Sequence, residues 1–267
     1  MRTESITSPQ NPKIKELLAL QEKSRLRREK ALFVVEGMRE LKHCLEGGYE
    51  IDSIFHCPEL IREGGLAAEL TNASGARLFE ITRELYGKVA YRGSTEGIIA
   101  EVKAKVMTLE TLSLKSSPLI VVLESVEKPG NLGAVLRSAD AAGADAVLIC
   151  DPLTDLYNPN LIRASIGAVF TVPTVACTSE EAIDFLKSND IRIFTAQLQD
   201  SKWYYNTDMK QGTAIVIGTE SDGLTDIWRK AADAHVRIPM LGRLDSLNAS
   251  VSASILLFEA VRQRNSR

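Results

Sequence analysis

A chain of 267 residues with 45% hydrophobic and 25% charged residues fits one or two ordinary globular domains, and its formal net charge of -3 excludes a protein coated in positive charge. No apolar run is long enough to cross a bilayer, and the polar start MRTESITSPQ has no secretory core, so a cytoplasmic, non-membrane protein is expected. Cys44, Cys57, Cys150 and Cys177 form no C-x-x-C pair and His43, His56 and His235 have no ligand spacing, which predicts reduced thiols and no metal.

In chain order, residues 5–30 read as helical after the turn SPQNP, with Ile14, Leu17, Leu18 and Leu20 on an apolar face. Within them, KSRLRREK at 23–30 carries five basic side chains against Glu29. Such a run is either a solvated helix face or a phosphate-contacting patch. Phe33–Val35 predicts a strand, Met38–Leu45 a helix stopped by Gly47-Gly48, Ile51–Phe55 a strand and Leu60–Leu70 a helix. Arg77–Ile81 and Gly97–Val102 predict strands, with a short helix at Arg83–Val89. The alternation describes a small α/β domain over residues 1–105. The polar stretch KAKVMTLETLSLKS at 104–117 reads as a linker, and a second domain spans 117–267.

That domain has apolar strands at Leu119–Leu123, Ala146–Cys150, Thr171–Val175, Arg192–Ala196, Ala214–Ile217 and Val236–Ile238. Helices are expected at Leu132–Ala142, Leu161–Val169, Glu180–Lys187 and Asp226–Ala232. Nearly continuous apolar strands between helices indicate a parallel sheet covered on both faces. Ligands of such sheets bind at the C-terminal strand ends, where three stretches stand out. In ESVEKPGNLGAVLR, Asn131 lies in a loop and Arg137 on the first or second helical turn. In IVIGTESDGLTDIW, a strand runs into Gly218, Glu220 and Gly223. Arg137 and Glu220 are open to a second reading as a structural ion pair.

The third stretch runs from His235 to Arg264. A strand ends at Pro239, Gly242 turns, and Asp245 or Ser246 offers an N-cap oxygen. The helix that follows carries Leu247, Val251, Ile255 and Phe258 on one stripe. Its opposite side, Asn248, Ala249, Ser250, Ser252, Ala253 and Ser254, is small and polar, which suits close backbone approach. The alternative is an ordinary C-terminal helix sealing a core. There is no G-x-G-x-x-G, no G-x-x-x-x-G-K-[ST] and no Ser–His–Asp arrangement, which disfavours a dinucleotide oxidoreductase, an NTPase and a serine hydrolase.

Taken in order, N-L-G-A-V-L-R, I-G-T-E-S-D-G-L and I-P-M-L-G-R-L-D-S-L-N-A-S-V-S-A closely resemble the three signature motifs of the SpoU (TrmH) family, the S-adenosylmethionine-dependent RNA ribose 2′-O-methyltransferases of the SPOUT superfamily. R-A-S-I-G-A-V-F at 163–170 and SPQNPKIKELLAL…FVVEG extend the resemblance over nearly the whole chain. Ser221-Asp222, Ala249 and Ser252 depart mildly from it. The resemblance implies an N-terminal α/β RNA-binding domain followed by an α/β methyltransferase domain whose last strands and helix form a trefoil knot, which general topology rules would exclude. It implies a homodimer formed through the knot, with S-adenosylmethionine held at Gly218, Ile238 and Leu247, beside Met240 and Gly223. It assigns Arg137 as base or phosphate clamp, helped by Asn131 and Glu220. Arg25, Arg27, Arg28, Ser246 and Asn248 are then the RNA contacts. Ribosomal RNA is the expected substrate; a transfer-RNA enzyme and a non-catalytic RNA-binding knot protein are the alternatives.

Overall fold

The computed structural model describes residues 3–61, 75–91, 96–219 and 221–266. The chain divides into two compact units, one of residues up to Lys105 together with Asp155–Thr171, the other of Val106–Thr154 and Val172 onward.

The first unit holds β1 (Glu4–Ile6), α1 (Pro12–Glu22), α2 (Ser24–Lys30), β2 (Leu32–Glu36), α3 (Met38–Glu46), β3 (Ile51–His56), β4 (Arg77–Ile81), α4 (Arg83–Val89) and β5 (Ile98–Lys103). Its sheet runs β1-β4-β3-β5-β2, with β5 antiparallel to both neighbours. The helix expected over residues 5–30 is instead a strand and two helices. Pro12 opens α1 behind Asn11, whose side chain accepts from Lys13 N–H at 2.8 Å. Lys23 then takes an extended conformation and restarts the chain as α2. Ile14, Leu17 and Leu20 are buried on α1 against Val34, Phe55 and Ile81. Most of the helix expected at Leu60–Leu70 lies outside the described residues.

Residues 155–171, read from sequence as part of the second domain, complete the core of the first. Phe33 stacks on Tyr157 at 4.1 Å and on Phe170 at 5.8 Å, with Tyr49 edge-on to all three rings. The expected helix Leu161–Val169 breaks into α6 (Pro159–Ala164) and α7 (Ala168–Thr171). Gly167 between them has φ +82, and a Cβ there would stand 2.8 Å from His43 Nδ1.

The second unit is a seven-stranded parallel sheet ordered β10-β12-β9-β11-β6-β7-β8. Its strands are β6 (Leu119–Glu124), β7 (Ala146–Cys150), β8 (Thr174–Cys177), β9 (Arg192–Ala196), β10 (Lys202–Trp203), β11 (Thr213–Ile217) and β12 (Ala234–Arg237). Its helices are α5 (Pro129–Ala141), α8 (Ser179–Ser188), α9 (Asp226–Ala231) and α10 (Ala249–Asn265). Every residue of β6, β7 and β11 is buried, as continuous apolar strands demand. Buried Trp228 anchors α9, its Nε1–H donating to Ser179 Oγ at 2.9 Å.

α10 sits the other way round from an ordinary core-sealing helix. Ala249, Ala253, Leu256, Leu257 and Ala260 are buried, while Val251 and Phe258 of the apolar stripe are 45% and 47% exposed. The small face lies against α5, where the Ser138 and Ser254 hydroxyls meet at 2.7 Å, and α10 also packs on β6 and β11. Small side chains let two helices approach closely, so the bulky stripe is left outside.

Candidate functional site

β12, β9 and β11 lie side by side, and their C-terminal ends open into a cavity of about 330 Å³. This is the position and size expected of a small-molecule site in a parallel sheet. Three segments far apart in sequence wall it: the turn after β11, the loop after β12 and the first turns of α10. Gly218, Gly223, Ile238, Met240 and Leu247, singled out from the motifs, all line it. Ser246 lines it as well, and Ile217 and Leu256 add apolar wall.

The turn after β11 closes on itself. Thr219 N–H donates to Gly223 O at 3.2 Å and Gly223 N–H returns to Thr219 O at 3.1 Å, with Gly223 at φ +69. This brings the turn onto Gly218 so tightly that a Cβ there would lie 2.3 Å from the carbonyl carbon and oxygen of Gly223. Gly218 is required by space, not by its φ. Asp222 N–H donates to Thr219 Oγ1 at 3.0 Å, which fixes the tip. Glu220, assigned a catalytic role from the motif, lies outside the described residues.

A residue not singled out from sequence ties this turn to the first motif. Glu124 ends β6 buried, its two carboxylate oxygens accepting from Thr225 N–H at 2.9 Å and Thr225 Oγ1 at 2.5 Å. The signal was present, since a carboxylate closing an otherwise apolar buried strand must find donors.

α5 begins at Pro129, three residues earlier than expected, because proline suits the first helical position. Arg137 therefore falls on its third turn, not its first or second. Asn131 and Asn248 come together: Asn248 Nδ2–H donates to Asn131 Oδ1 at 3.0 Å. Asn248 caps α10, its Oδ1 accepting from Ser250 N–H at 3.0 Å, while Asp245 and Ser246 lie ahead of the cap. Arg137 is exposed, about 9 Å further along α5 than Asn131 and about 120° round it. Neither Asn131 nor Arg137 lines the cavity.

The basic cluster of the first unit divides. Arg25 and Arg28 are exposed, Arg25 pairing with Glu29 one helical turn on. Arg27 is only 4% exposed, its Nε–H donating to Asp155 Oδ2 at 2.6 Å and its Nη1 to the carbonyls of Leu20 and Gln21. The RNA contact expected of Arg27 is therefore corrected. Its donors are spent inside the fold, where it closes the C-terminal end of α1 and holds the segment that starts at Asp155.

Residues 118–258 match the SpoU rRNA methylase family, and residues 11–100 match the MRM3-like substrate binding domain. The 23S rRNA (guanosine-2′-O-)-methyltransferase RlmB of Vibrio vulnificus is 36% identical, over 71% of this chain and 79% of its own. A 23S rRNA (uridine(2479)-2′-O)-methyltransferase of Streptomyces viridochromogenes is 29% identical over 87% of this chain and 83% of its own. Among solved structures, an RNA 2′-O ribose methyltransferase superposes with a TM-score of 0.84 at 38% identity, covering 97% of this chain and 99% of that one. An AdoMet-bound rRNA methyltransferase from Sinorhizobium meliloti reaches 0.90 at 28% identity over 99% of each chain.

Proposed function

The chain belongs to the SpoU rRNA methylase family, and on that premise we propose that it transfers the methyl group of S-adenosylmethionine to a ribose 2′-hydroxyl of ribosomal RNA. The observation that carries the reading is the convergence of Gly218, Gly223, Ile238, Met240 and Leu247 on one cavity at the strand ends. The cavity suits this cofactor. Gly218 leaves a cradle that a Cβ would fill, Ile217, Ile238, Leu247 and Leu256 offer an apolar bed for a flat base, and Asp222 and Asp245 place carboxylates on the wall of a site for a cation.

When bound, the cofactor supplies an electrophilic methyl group on a sulfonium whose charge vanishes as the methyl leaves, so the protein's work is alignment and proton removal. A ribose hydroxyl is a poor nucleophile that sheds its proton as it attacks. A guanidinium is a reluctant base, and exposed Arg137 acts as a two-pronged clamp on the phosphate beside the reacting ribose. Asn131 and Asn248 lock the start of α5 to the cap of α10, which fixes the helix that presents Arg137. The motif gives Glu220 a positioning role, and Ser246, on the cavity wall, contacts cofactor or RNA. Arg25 and Arg28 of the first unit meet RNA phosphates.

The trefoil knot belongs to this reading: β12 lies inside the sheet between β9 and β10, and the chain then returns to lay α10 on β6, β11 and α5. So does a homodimer formed on the knot. It gives the exposed stripe of Leu247, Val251 and Phe258 a partner, which an isolated apolar stripe otherwise lacks. The site of action is the cytoplasm.

Calorimetry with S-adenosylmethionine, together with ribose-methylation mapping of ribosomal RNA from a strain lacking the protein, tests the assignment. Arg137→Ala abolishes transfer and leaves cofactor affinity near wild type. Arg137→Lys is also severely impaired at every pH if the fork geometry matters, and recovers as pH rises if the side chain is the base. Near-normal turnover of Arg137→Ala refutes both roles.

A further inference from the structure

The cavity has a polar corner that the signature motifs do not explain. Ala196 pairs with Val236, Trp203 with Arg237, and Gln197 N–H donates to Val236 O at 3.0 Å. Gln197, Arg237 and Trp203 therefore stand in register across three neighbouring strands, with their side chains on one face. The Arg237 guanidinium lies 4.1 Å above the Trp203 ring, which sets its plane. Gln197 is oriented by its amide Nε2–H, which donates to Gln199 O at 2.9 Å.

Both Gln197 and Arg237 line the cavity, yet Arg237 Nε and Gln197 Oε1 are buried with no hydrogen-bond partner. A buried donor and a buried acceptor left open side by side are costly unless a ligand completes them. The donor belongs to a cation and the acceptor is neutral. Their complement is a carboxylate next to an ammonium. The edge of an adenine also offers a donor and an acceptor, but it has no negative charge to meet the guanidinium.

We propose that Arg237 and Gln197 form the subsite for the α-amino-carboxylate end of the cofactor, with Arg237 Nε–H donating to the carboxylate, Gln197 Oε1 accepting from the ammonium, and Trp203 serving as the platform that holds the arginine. This rests on the cavity being the S-adenosylmethionine site. It also sets the direction of binding, placing the amino-acid end under β9 and β12 and leaving the apolar wall of Ile217, Leu247 and Leu256 for the base.

The test is calorimetric titration of the full chain with S-adenosylhomocysteine and with 5′-methylthioadenosine, which keeps the nucleoside and thioether but lacks the amino acid. Arg237→Met weakens S-adenosylhomocysteine by roughly ten- to a hundredfold, the scale of a hydrogen bond to a charged group. Gln197→Leu weakens it less. Both variants bind methylthioadenosine as the wild type does, which also shows that the cavity is still folded. Equal losses for the two ligands, or no loss for either, overturn the subsite. If the wild-type protein binds neither ligand, the cofactor reading of the cavity falls and takes the subsite with it.

Discussion

Replacing Gly218 with alanine places a methyl group where there is no room for one. The new Cβ would meet Gly223 C and O at 2.3 Å and Leu224 N at 2.6 Å, and all three are backbone atoms. To restore ordinary contact the turn must retreat by about 1 Å, and cavities and cores resist such overpacking at about 1–3 kcal/mol. The same retreat stretches the two Thr219–Gly223 hydrogen bonds, each worth about 0.5–1.5 kcal/mol. The total is on the order of 2–6 kcal/mol, and it falls on the wall of the cavity proposed for the cofactor. Thermal unfolding should show the loss as a lower midpoint for the second unit. Calorimetry should show S-adenosylmethionine binding weakened by at least tenfold. Gly130→Ala is the control. Near the start of α5 an added Cβ meets nothing within 4 Å, so stability stays level or rises by up to about 1 kcal/mol. A Gly218→Ala protein with wild-type affinity and midpoint would refute the steric reasoning.

Four further outcomes are expected. Arg27→Met costs about 3–5 kcal/mol by leaving Asp155 and two carbonyls without their donor. Arg25→Ala and Arg28→Ala leave stability unchanged and flatten the log–log salt dependence of RNA binding by about 0.7–0.9 each; an unaltered midpoint for Arg27→Met, or an unaltered slope for the other two, contradicts this division. Burial raises the Glu101 carboxyl above its ordinary range, against the opposing hydrogen bond from Ser53 Oγ at 2.6 Å. Its contribution to stability is full below about pH 4.3, the ordinary carboxylate value, and is lost as pH rises through the raised folded value. Glu101→Gln should therefore be more stable than the parent at pH 7 and lose that advantage on acidification; a pH-independent difference between the two proteins counts against it. Val251→Asp with Phe258→Asp should convert a dimer to monomers in sedimentation, whereas a monomeric wild type removes the proposed interface.

Several strands were legible to the residue: Arg77–Ile81, Ala146–Cys150 and Arg192–Ala196 have the bounds expected of them. Short edge strands were not. β1 and β10 span three and two residues, and their pairing is set by neighbours distant in sequence. Periodicity showed which residues of α10 share a face, but the choice of the small face for the interior depends on α5 lying against it. Arg27 shows the same limit. Nothing in KSRLRREK distinguishes it from Arg25 and Arg28, and its burial is decided by Asp155, 128 residues later. The cavity was legible in its glycines and apolar residues, which the motifs carry. Its polar corner was not, because Gln197 and Arg237 become neighbours only through strand order.

The insertion of residues 155–171 into the first unit also bears on how the chain is made. When Lys105 leaves the ribosome, Phe33 and Tyr49 still lack Tyr157 and Phe170, and Arg27 still lacks Asp155. The chain from Val106 to Thr171 must be synthesised first, which takes several seconds at about 5–20 residues per second. During that interval the first unit lacks the rings that stack on Phe33 and the carboxylate that pairs with Arg27. By the time these arrive, β6, α5 and β7 of the second unit have already been translated. The two units therefore cannot mature strictly one after the other, and a single cut near residue 105 would leave the first unit without residues 155–171 and the second carrying them.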